Sequence, residues 1–183
     1  IDAAFKVLNE MKRANIEPDE VLFNSLLDGC FRSNEINLAF RVQQTMKEQK
    51  ITPSNVTYSI LIKIYGRARQ LDKAIEVIEE MRKNKIQPGI IVYTCLIQTC
   101  IKSGDIYTAL KKFEEMTAEG IYADHVTYST LIKGCLQFKK LTEACDLLED
   151  SFKNQINVGS EVTEQLIQQI QRTKNVTLLA KVP

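Results

Sequence analysis

Apolar side chains recur in this chain on two nested periods. The short period is helical. Phe23, Leu26, Leu27 and Cys30 stand at i, i+3, i+4 and i+7, which is one face of an α-helix. The long period is 35 residues. The same face returns as Tyr58, Leu61, Ile62 and Tyr65, then as Tyr93, Leu96, Ile97 and Cys100, then as Tyr128, Leu131, Ile132 and Cys135. Each predicts a first helix, roughly Val21–Arg32 in the earliest copy. A second apolar stripe follows each one. Ile36, Ala39, Phe40 and Met46 predict a second helix from about Ile36 to Met46, and Leu71/Ala74/Ile75, Ile106/Ala109/Leu110 and Leu141/Ala144/Cys145 repeat it. The small alanine marks a close helix–helix approach, at about 8–10 Å between axes. Polar turn stretches such as Ser33-Asn34-Glu35 and Ser103-Gly104-Asp105 separate the two helices.

Other columns share this register. Met11, Met46, Met81 and Met116 are the only methionines, and Pro18, Pro53 and Pro88 keep the same interval after the second helix. The unit is therefore a helical hairpin of 35 residues. No single hairpin buries both its faces, so the hairpins must stack as an all-α solenoid. The expected division is a half-repeat over residues 1–19 (Ala4, Val7, Leu8 and Met11 on a lone second helix), four repeats over 20–54, 55–89, 90–124 and 125–159, and a degenerate or partial terminal repeat over 160–183. In the last segment Leu166, Ile167 and Ile170 keep the first-helix face, Thr163 replaces the aromatic, and a second helix would begin near Val176. A start at Ile1, inside a repeat, reads as a fragment.

Composition narrows the function classes. Charged residues make up 26% and net charge is only +1, so no strongly basic tail exists, though a local basic stripe is compatible with that figure. Cys30, Cys100 and Cys135 share a column with Tyr65, which makes it a packing column and not a metal site. Five cysteines without close pairing are expected reduced and intracellular. No apolar run is long enough to span a membrane. His125, the only histidine, has no ligand cluster around it. Glu79/Glu80 and Glu114/Glu115 have basic neighbours at helical spacing, which is ordinary charge pairing. No phosphate-binding glycine loop and no catalytic constellation is found, so neither cofactor, small-molecule substrate nor enzymatic activity is expected.

The informative feature is the other face of the first helix. At about 100° per residue, Val21, Asn24, Asp28 and Arg32 fall within an arc of about 80°, opposite the apolar face. The next copies hold Val56/Ser59/Lys63/Arg67, Ile91/Thr94/Gln98/Lys102 and Val126/Ser129/Lys133/Gln137. A β-branched residue in every copy is out of place on a purely solvated face. Its partner is always a short hydrogen-bonding residue where Lys or Glu would suit a helix better. An apolar surface, a hydrogen-bonding tip and a cation, offered once per repeat, suit a stacked base with its phosphate.

These residues resemble the pentatricopeptide repeat family. The segments 56–62 and 126–132 (Val-Thr-Tyr-Ser-x-Leu-Ile) are similar to the family's first-helix opening, 71–81 and 109–116 to its second helix, and Ile86-Gln-Pro88 and Ile16-Glu-Pro-Asp19 to its linker. The resemblance covers about residues 1–159. Tetratricopeptide repeats run one residue shorter and carry a tryptophan-based pattern that is absent. The resemblance implies a right-handed superhelix whose first helices line a groove for single-stranded RNA. It implies that each base is read by the residue after the aromatic together with the last residue before the next repeat. Those pairs are Asn24 with Ser54, Ser59 with Gly89, Thr94 with Asp124, and Ser129 with Gly159; Asp19 would complete a repeat not present. Val21, Val56, Ile91 and Val126 would clamp bases, and Arg32, Arg67 and Lys102 would lie near phosphates. Thr with Asp resembles a guanine combination and Asn with Ser a pyrimidine one, cytosine preferred. The two Ser-Gly pairs depart from the family pattern and lean to purine, giving pyrimidine-purine-G-purine.

The leading expectation is a sequence-selective RNA-binding module acting in organelle RNA processing, stability or translation. The family implies a mitochondrion or plastid. Two alternatives stand beside it. Near-neutral charge suits a protein-binding scaffold within a large assembly such as a mitochondrial ribosome. The repeats would also serve as the RNA-binding arm of a larger enzyme.

Overall fold

The apolar stripes pair as the sequence requires. The computed structural model describes residues 10, 11, 13, 14, 16–173 and 178. Among them lie nine α-helices and no strand: α1 Glu20–Arg32, α2 Ile36–Glu48, α3 Asn55–Arg67, α4 Leu71–Lys83, α5 Ile90–Lys102, α6 Ile106–Ala118, α7 His125–Gln137, α8 Leu141–Lys153 and α9 Ser160–Thr173. The odd-numbered helices begin at the first residue of each expected repeat. Residues Ala4, Val7 and Leu8, and the second helix expected near Val176, fall outside the described residues.

The chain forms two compact units, Ile1–Val92 and Tyr93–Pro183. In the first, α1 packs on α2, α3 on α4, and α3 also lies against both α1 and α2. In the second, α7 packs on α8, α9 lies against both, and α6 contacts α7. First helices thus stack on first helices within each unit, as a solenoid demands. The first-helix faces read from the sequence form the core, whereas on the second helices Ile36, Phe40, Leu71, Ile75, Leu110 and Leu141 are only half-buried, and Val42, Val77, Ile78 and Leu148 join the alanines in the buried face. Phe23, Leu27, Tyr58, Ile62, Tyr93, Leu96, Ile97 and Leu131 are fully or almost fully buried, as are Ala39, Ala74, Ala109 and Ala144. All five cysteines are buried and none is in a disulfide. Tyr65 is the half-buried member of the Cys30 column, and its hydroxyl meets the Gln43 amide at 2.9 Å. Helix α9 buries Val162, Leu166 and Ile170 and leaves Ile167 half-exposed. Its core stripe is narrower than the expected one because Val162, not Thr163, supplies the N-terminal apolar contact.

Three of the four second helices are tied near their C-terminal ends to the buried tyrosine before them. Asn84 Nδ2 donates to the Tyr58 hydroxyl at 2.9 Å, the Tyr93 hydroxyl donates to Glu119 at 3.0 Å, and the Tyr128 hydroxyl donates to Asp150 at 2.6 Å while accepting from Asn154 at 3.1 Å. Phe23 has no hydroxyl, and Gln49, in the column of Asn84, keeps its Oε1 buried without a partner.

The helices stop at two columns of left-handed residues, the first of which lies within the polar turn stretches. Asn34, Arg69, Gly104 and Lys139 have φ of 60°, 56°, 89° and 58°. Lys50, Lys85, Gly120 and Gln155 have φ of 56°, 59°, 76° and 58°. These left-handed residues recur every 35 positions, once after each helix of a repeat. In each turn the left-handed residue's amide reaches back three residues and the next amide five, as in Asn34 N–H to Phe31 O at 3.2 Å and Glu35 N–H to Cys30 O at 2.9 Å. The second helices run to the second of these columns and so end beyond Met46, at Glu48 in the first copy.

One glycine is required by packing. A Cβ on Gly134 of α7 would lie 2.7 Å from Ile101 Cδ1, 3.0 Å from Cγ1 and 3.2 Å from Cγ2. The buried Ile101 of α5 therefore occupies the space a side chain would need.

Candidate nucleic-acid interface

The four β-branched residues opposite the core face are the exposed apolar residues of the first helices. Val21 is 69% exposed, Val56 51%, Ile91 59% and Val126 45%. These numbers decide against a packing role, since neighbouring apolar positions on the same helices are buried. In the first unit, Val21, Asn24, Ser54, Val56 and Ser59 line one open depression of about 560 Å³ together with Glu20, Ser25, Asp28, Ile60 and Lys63. The depression thus holds Asn24 and Ser54, the first of the expected pairs, beside Ser59, whose expected partner Gly89 does not line it.

The expected reading residues split into two structural kinds. Asn24, Ser59, Thr94 and Ser129 sit one turn into the first helices. Ser54 and Asp124 are helix N-caps. The Ser54 side chain accepts from Val56 N–H at 3.2 Å, and Asp124 Oδ1 accepts from Thr127 N–H at 2.8 Å; Asp19 does the same for Leu22 N–H at 2.9 Å. The last residue before a repeat thus ends one hairpin and starts the next helix. Gly89 and Gly159 bring only backbone. Gly89 N–H donates to Asn55 Oδ1 at 2.6 Å, and a Cβ there would meet that oxygen at 3.2 Å. Gly159 is left-handed, with φ 88°, and its N–H donates to Asn157 Oδ1 at 2.8 Å.

Polar residues that the sequence reading passed over hold these readers in place. In the first unit three donors converge on Glu20 Oε1: Asn24 Nδ2 at 3.0 Å, Thr57 Oγ1 at 2.9 Å and Ser54 N–H at 3.2 Å. Burial works to raise the Glu20 carboxyl, but the donors from Ser54, Asn24 and Thr57 outweigh it and hold it below the usual range. The Asn24 amide is turned with its nitrogen toward Glu20, leaving Oδ1 buried and without a partner. Asn55 Nδ2 also donates to the Gln87 carbonyl at 3.1 Å. In the second unit Thr127 Oγ1 meets Asp124 Oδ1 at 2.8 Å and Thr94 Oγ1 at 2.8 Å. Ser59 Oγ donates to the Val56 carbonyl at 2.8 Å and Ser129 Oγ to the Val158 carbonyl at 3.1 Å. No column signal announces these partners. Glu20 and Asn55 share their column with Ile90 and His125, while Thr57 and Thr127 share theirs with Leu22 and Val92.

The cations differ in freedom. Arg32 pairs with Asp28 at 2.7 Å. Arg67 donates to the Phe31 carbonyl and lies 3.8 Å above the Phe31 ring centroid. Lys102 is exposed, and Lys63 is half-buried in the depression beside Ser59. His125 is exposed at the start of α7. Among the described residues no group of three or more His, Cys, Asp or Glu could hold a metal ion, and no helix is long and apolar enough to cross a membrane.

Comparison with known proteins follows the same columns. A pentatricopeptide repeat domain model matches residues 6–68, a PPR repeat family model matches 88–137, and a PPR repeat model matches 56–86 and 126–156. No curated protein sequence matches the chain. Among solved structures, the pentatricopeptide repeat protein PPR10 from maize superposes with a TM-score of 0.82 at 22% identity, over 94% of this chain and 25% of that one. The same protein in complex with an 18-nt psaJ RNA element gives 0.78 at 22% identity, over 92% and 25%. The PPR domain of Arabidopsis thaliana protein-only RNase P 1, in complex with tRNA, gives 0.77 at 17% identity, over 93% and 89%. This chain spans about a quarter of the maize protein's length. At these identities the superpositions establish the α-solenoid fold, and the models matched along most of its length establish that the chain belongs to the pentatricopeptide repeat family.

Proposed function

We propose that this chain is a single-stranded RNA-binding module that reads one base per repeat and takes part in RNA processing, stability or translation in a mitochondrion or plastid. The observation that carries this reading is the exposed column Val21, Val56, Ile91 and Val126, set beside short polar side chains whose rotamers are held by the protein. An apolar residue left in water once per repeat has an evident use if a base covers it. Two similar structures hold RNA, an 18-nt psaJ element and a tRNA, and both support this choice. The reading pairs are Asn24/Ser54, Ser59/Gly89, Thr94/Asp124 and Ser129/Gly159. Lys102 lies free to meet a phosphate; Arg32 and Arg67 would first exchange their contacts with Asp28 and Phe31.

Base stacking contributes roughly 1–3 kcal/mol per base, against association costs of similar size, so four repeats alone are expected to bind weakly and are best probed at low salt. Fluorescence anisotropy with short RNAs tests this. A probe carrying C-A-G-A is expected to bind more tightly than its G-to-C variant at the third base and than poly-U. Absence of binding to every probe, by a folded protein at low salt, refutes the proposal. It would favour the protein-scaffold reading, which the net charge of +1 and the engaged arginines also suit. Asp124→Asn is the informative variant, because it removes the carboxylate and keeps the helix cap.

A further inference from the structure

We propose that Thr127, which belongs to the fourth repeat, is a positioning residue for base choice by the third repeat, and that it acts by fixing which way the Thr94 hydroxyl donates. This rests on the RNA-reading function proposed above. Three oxygens form a chain: Asp124 Oδ1, Thr127 Oγ1 and Thr94 Oγ1, each 2.8 Å from the next. Hydroxyls carry one proton each, and an ionised carboxylate only accepts. Thr127 Oγ1 therefore donates to Asp124. The alternative direction gives up a charge-assisted bond, roughly twice as strong as a neutral one. With its proton so engaged, Thr127 can only accept from Thr94. The Thr94 proton then points inward, toward Thr127, and only lone pairs of Thr94 Oγ1 face outward.

Thr127 is fully buried and stays put while Thr94 and Asp124 are half-exposed. Asp124 Oδ1 is engaged by the Thr127 amide and hydroxyl, which leaves Oδ2 facing outward. The third reading pair therefore offers acceptors and no donor. That surface matches a base edge made of donors, the N1–H and N2–H of guanine. It penalises adenine, whose N1 is an acceptor and would face another acceptor. The first reading pair is set differently, by the Glu20 carboxylate accepting from the Asn24 amide, so in each unit one reader is oriented by a side chain outside its pair.

The test compares wild type with Thr127→Val and Thr127→Ser on RNAs that differ only at the third base, carrying guanine, inosine or adenine. Thr127→Val keeps the amide cap and the side-chain shape but frees the Thr94 proton. The expected result is a guanine-to-adenine preference reduced roughly five- to tenfold, with adenine binding tightening while guanine binding weakens. A lesion that was merely structural would weaken all probes together. Thr127→Ser restores the hydroxyl and is expected to restore the wild-type preference. Wild type preferring guanine, with an unchanged ratio in folded Thr127→Val, overturns the positioning role and leaves RNA reading intact. If Thr127→Val does not fold, a collapsed guanine preference in folded Thr127→Ser overturns it instead. Wild type binding none of the probes removes the RNA-reading proposal itself, and this inference with it.

Discussion

Removing the Asp124 side chain should cost stability before it affects any ligand. Asp124 caps α7 through Thr127 N–H at 2.8 Å, and Thr127 is fully buried, so that amide has no water to turn to. Losing an N-cap costs about 0.5–2 kcal/mol. A buried donor left unsatisfied sits at the upper end of that range. The Thr127 hydroxyl recovers part of its loss, because Thr94 Oγ1 lies 2.8 Å away and can accept from it. Asp124→Ala is therefore expected to destabilise by about 1.5–2 kcal/mol, which for a chain of this length lowers the melting temperature by about 3–8 °C. Asp124→Asn keeps an acceptor at Oδ1 and should stay within about 0.5 kcal/mol of wild type. Urea and thermal melts followed by circular dichroism measure both. Equal losses in the two variants would refute the capping argument, as would an unchanged melt for Asp124→Ala. The comparison also shows why alanine is a poor probe of base reading here: it loosens the helix that carries Ser129.

Three further outcomes follow from the fold. Gly134→Ala should destabilise by about 1–3 kcal/mol, since Ile101 is buried and stiff at χ1 and approaches with both Cγ atoms; a neutral urea midpoint would contradict the close approach. Lys85→Gly, at a left-handed position outside the core, should stabilise by about 0.5–1 kcal/mol in the same assay, and a loss would mean that the lysine side chain holds the turn. Stability should fall on both sides of neutrality. The Glu20 and Asp105 carboxyls are held below their usual range, the second by side-chain and backbone donors from Thr108, so their contribution is full above the unfolded values near 4.5 and 3.8 and fades as pH drops through the folded ones. The Tyr128 phenol is pushed up to about 12 by burial and by Asp150, so the unfolded chain loses that proton first and stability declines between pH 10 and 12; chemical melts across these ranges test both slopes.

Much of this molecule is legible in its sequence because burial writes itself as periodicity. The Phe23/Leu26/Leu27/Cys30 face and its copies place the first helices to within a residue or so, and Ala39, Ala74, Ala109 and Ala144 are fully buried on the second helices. The exposed column at Val21, Val56, Ile91 and Val126 is visible for the same reason, as an apolar residue on the wrong face. The turns are legible as polar stretches such as Ser33-Asn34-Glu35, but their left-handed conformation is not. Asn, Arg, Lys and Gln occupy six of the eight left-handed positions in place of glycine, because a strained φ is tolerated where the paired cap bonds are made. Nor are the residues that hold the readers. Glu20, Asn55 and Thr127 act through hydrogen bonds particular to their own repeats, and a bond across more than thirty residues that is made in one repeat only leaves no period behind.

The Gly134–Ile101 contact has a bearing on how such chains are rearranged. The position of Gly134 is held by Ile64 in the second repeat and by Thr99 in the third. The third repeat, which carries the bulky Ile101, is followed here by one that yields space at the matching height. A 35-residue segment moved as a cassette brings its reading residues with it but also this demand on whatever follows. Placed ahead of a repeat like the second, Ile101 would face an isoleucine and not a hydrogen atom. A moved segment is therefore accommodated at this height only by repacking, as between the first two repeats, where Phe31, at the position of Ile101, precedes Ile64 and lies half-buried under Arg67.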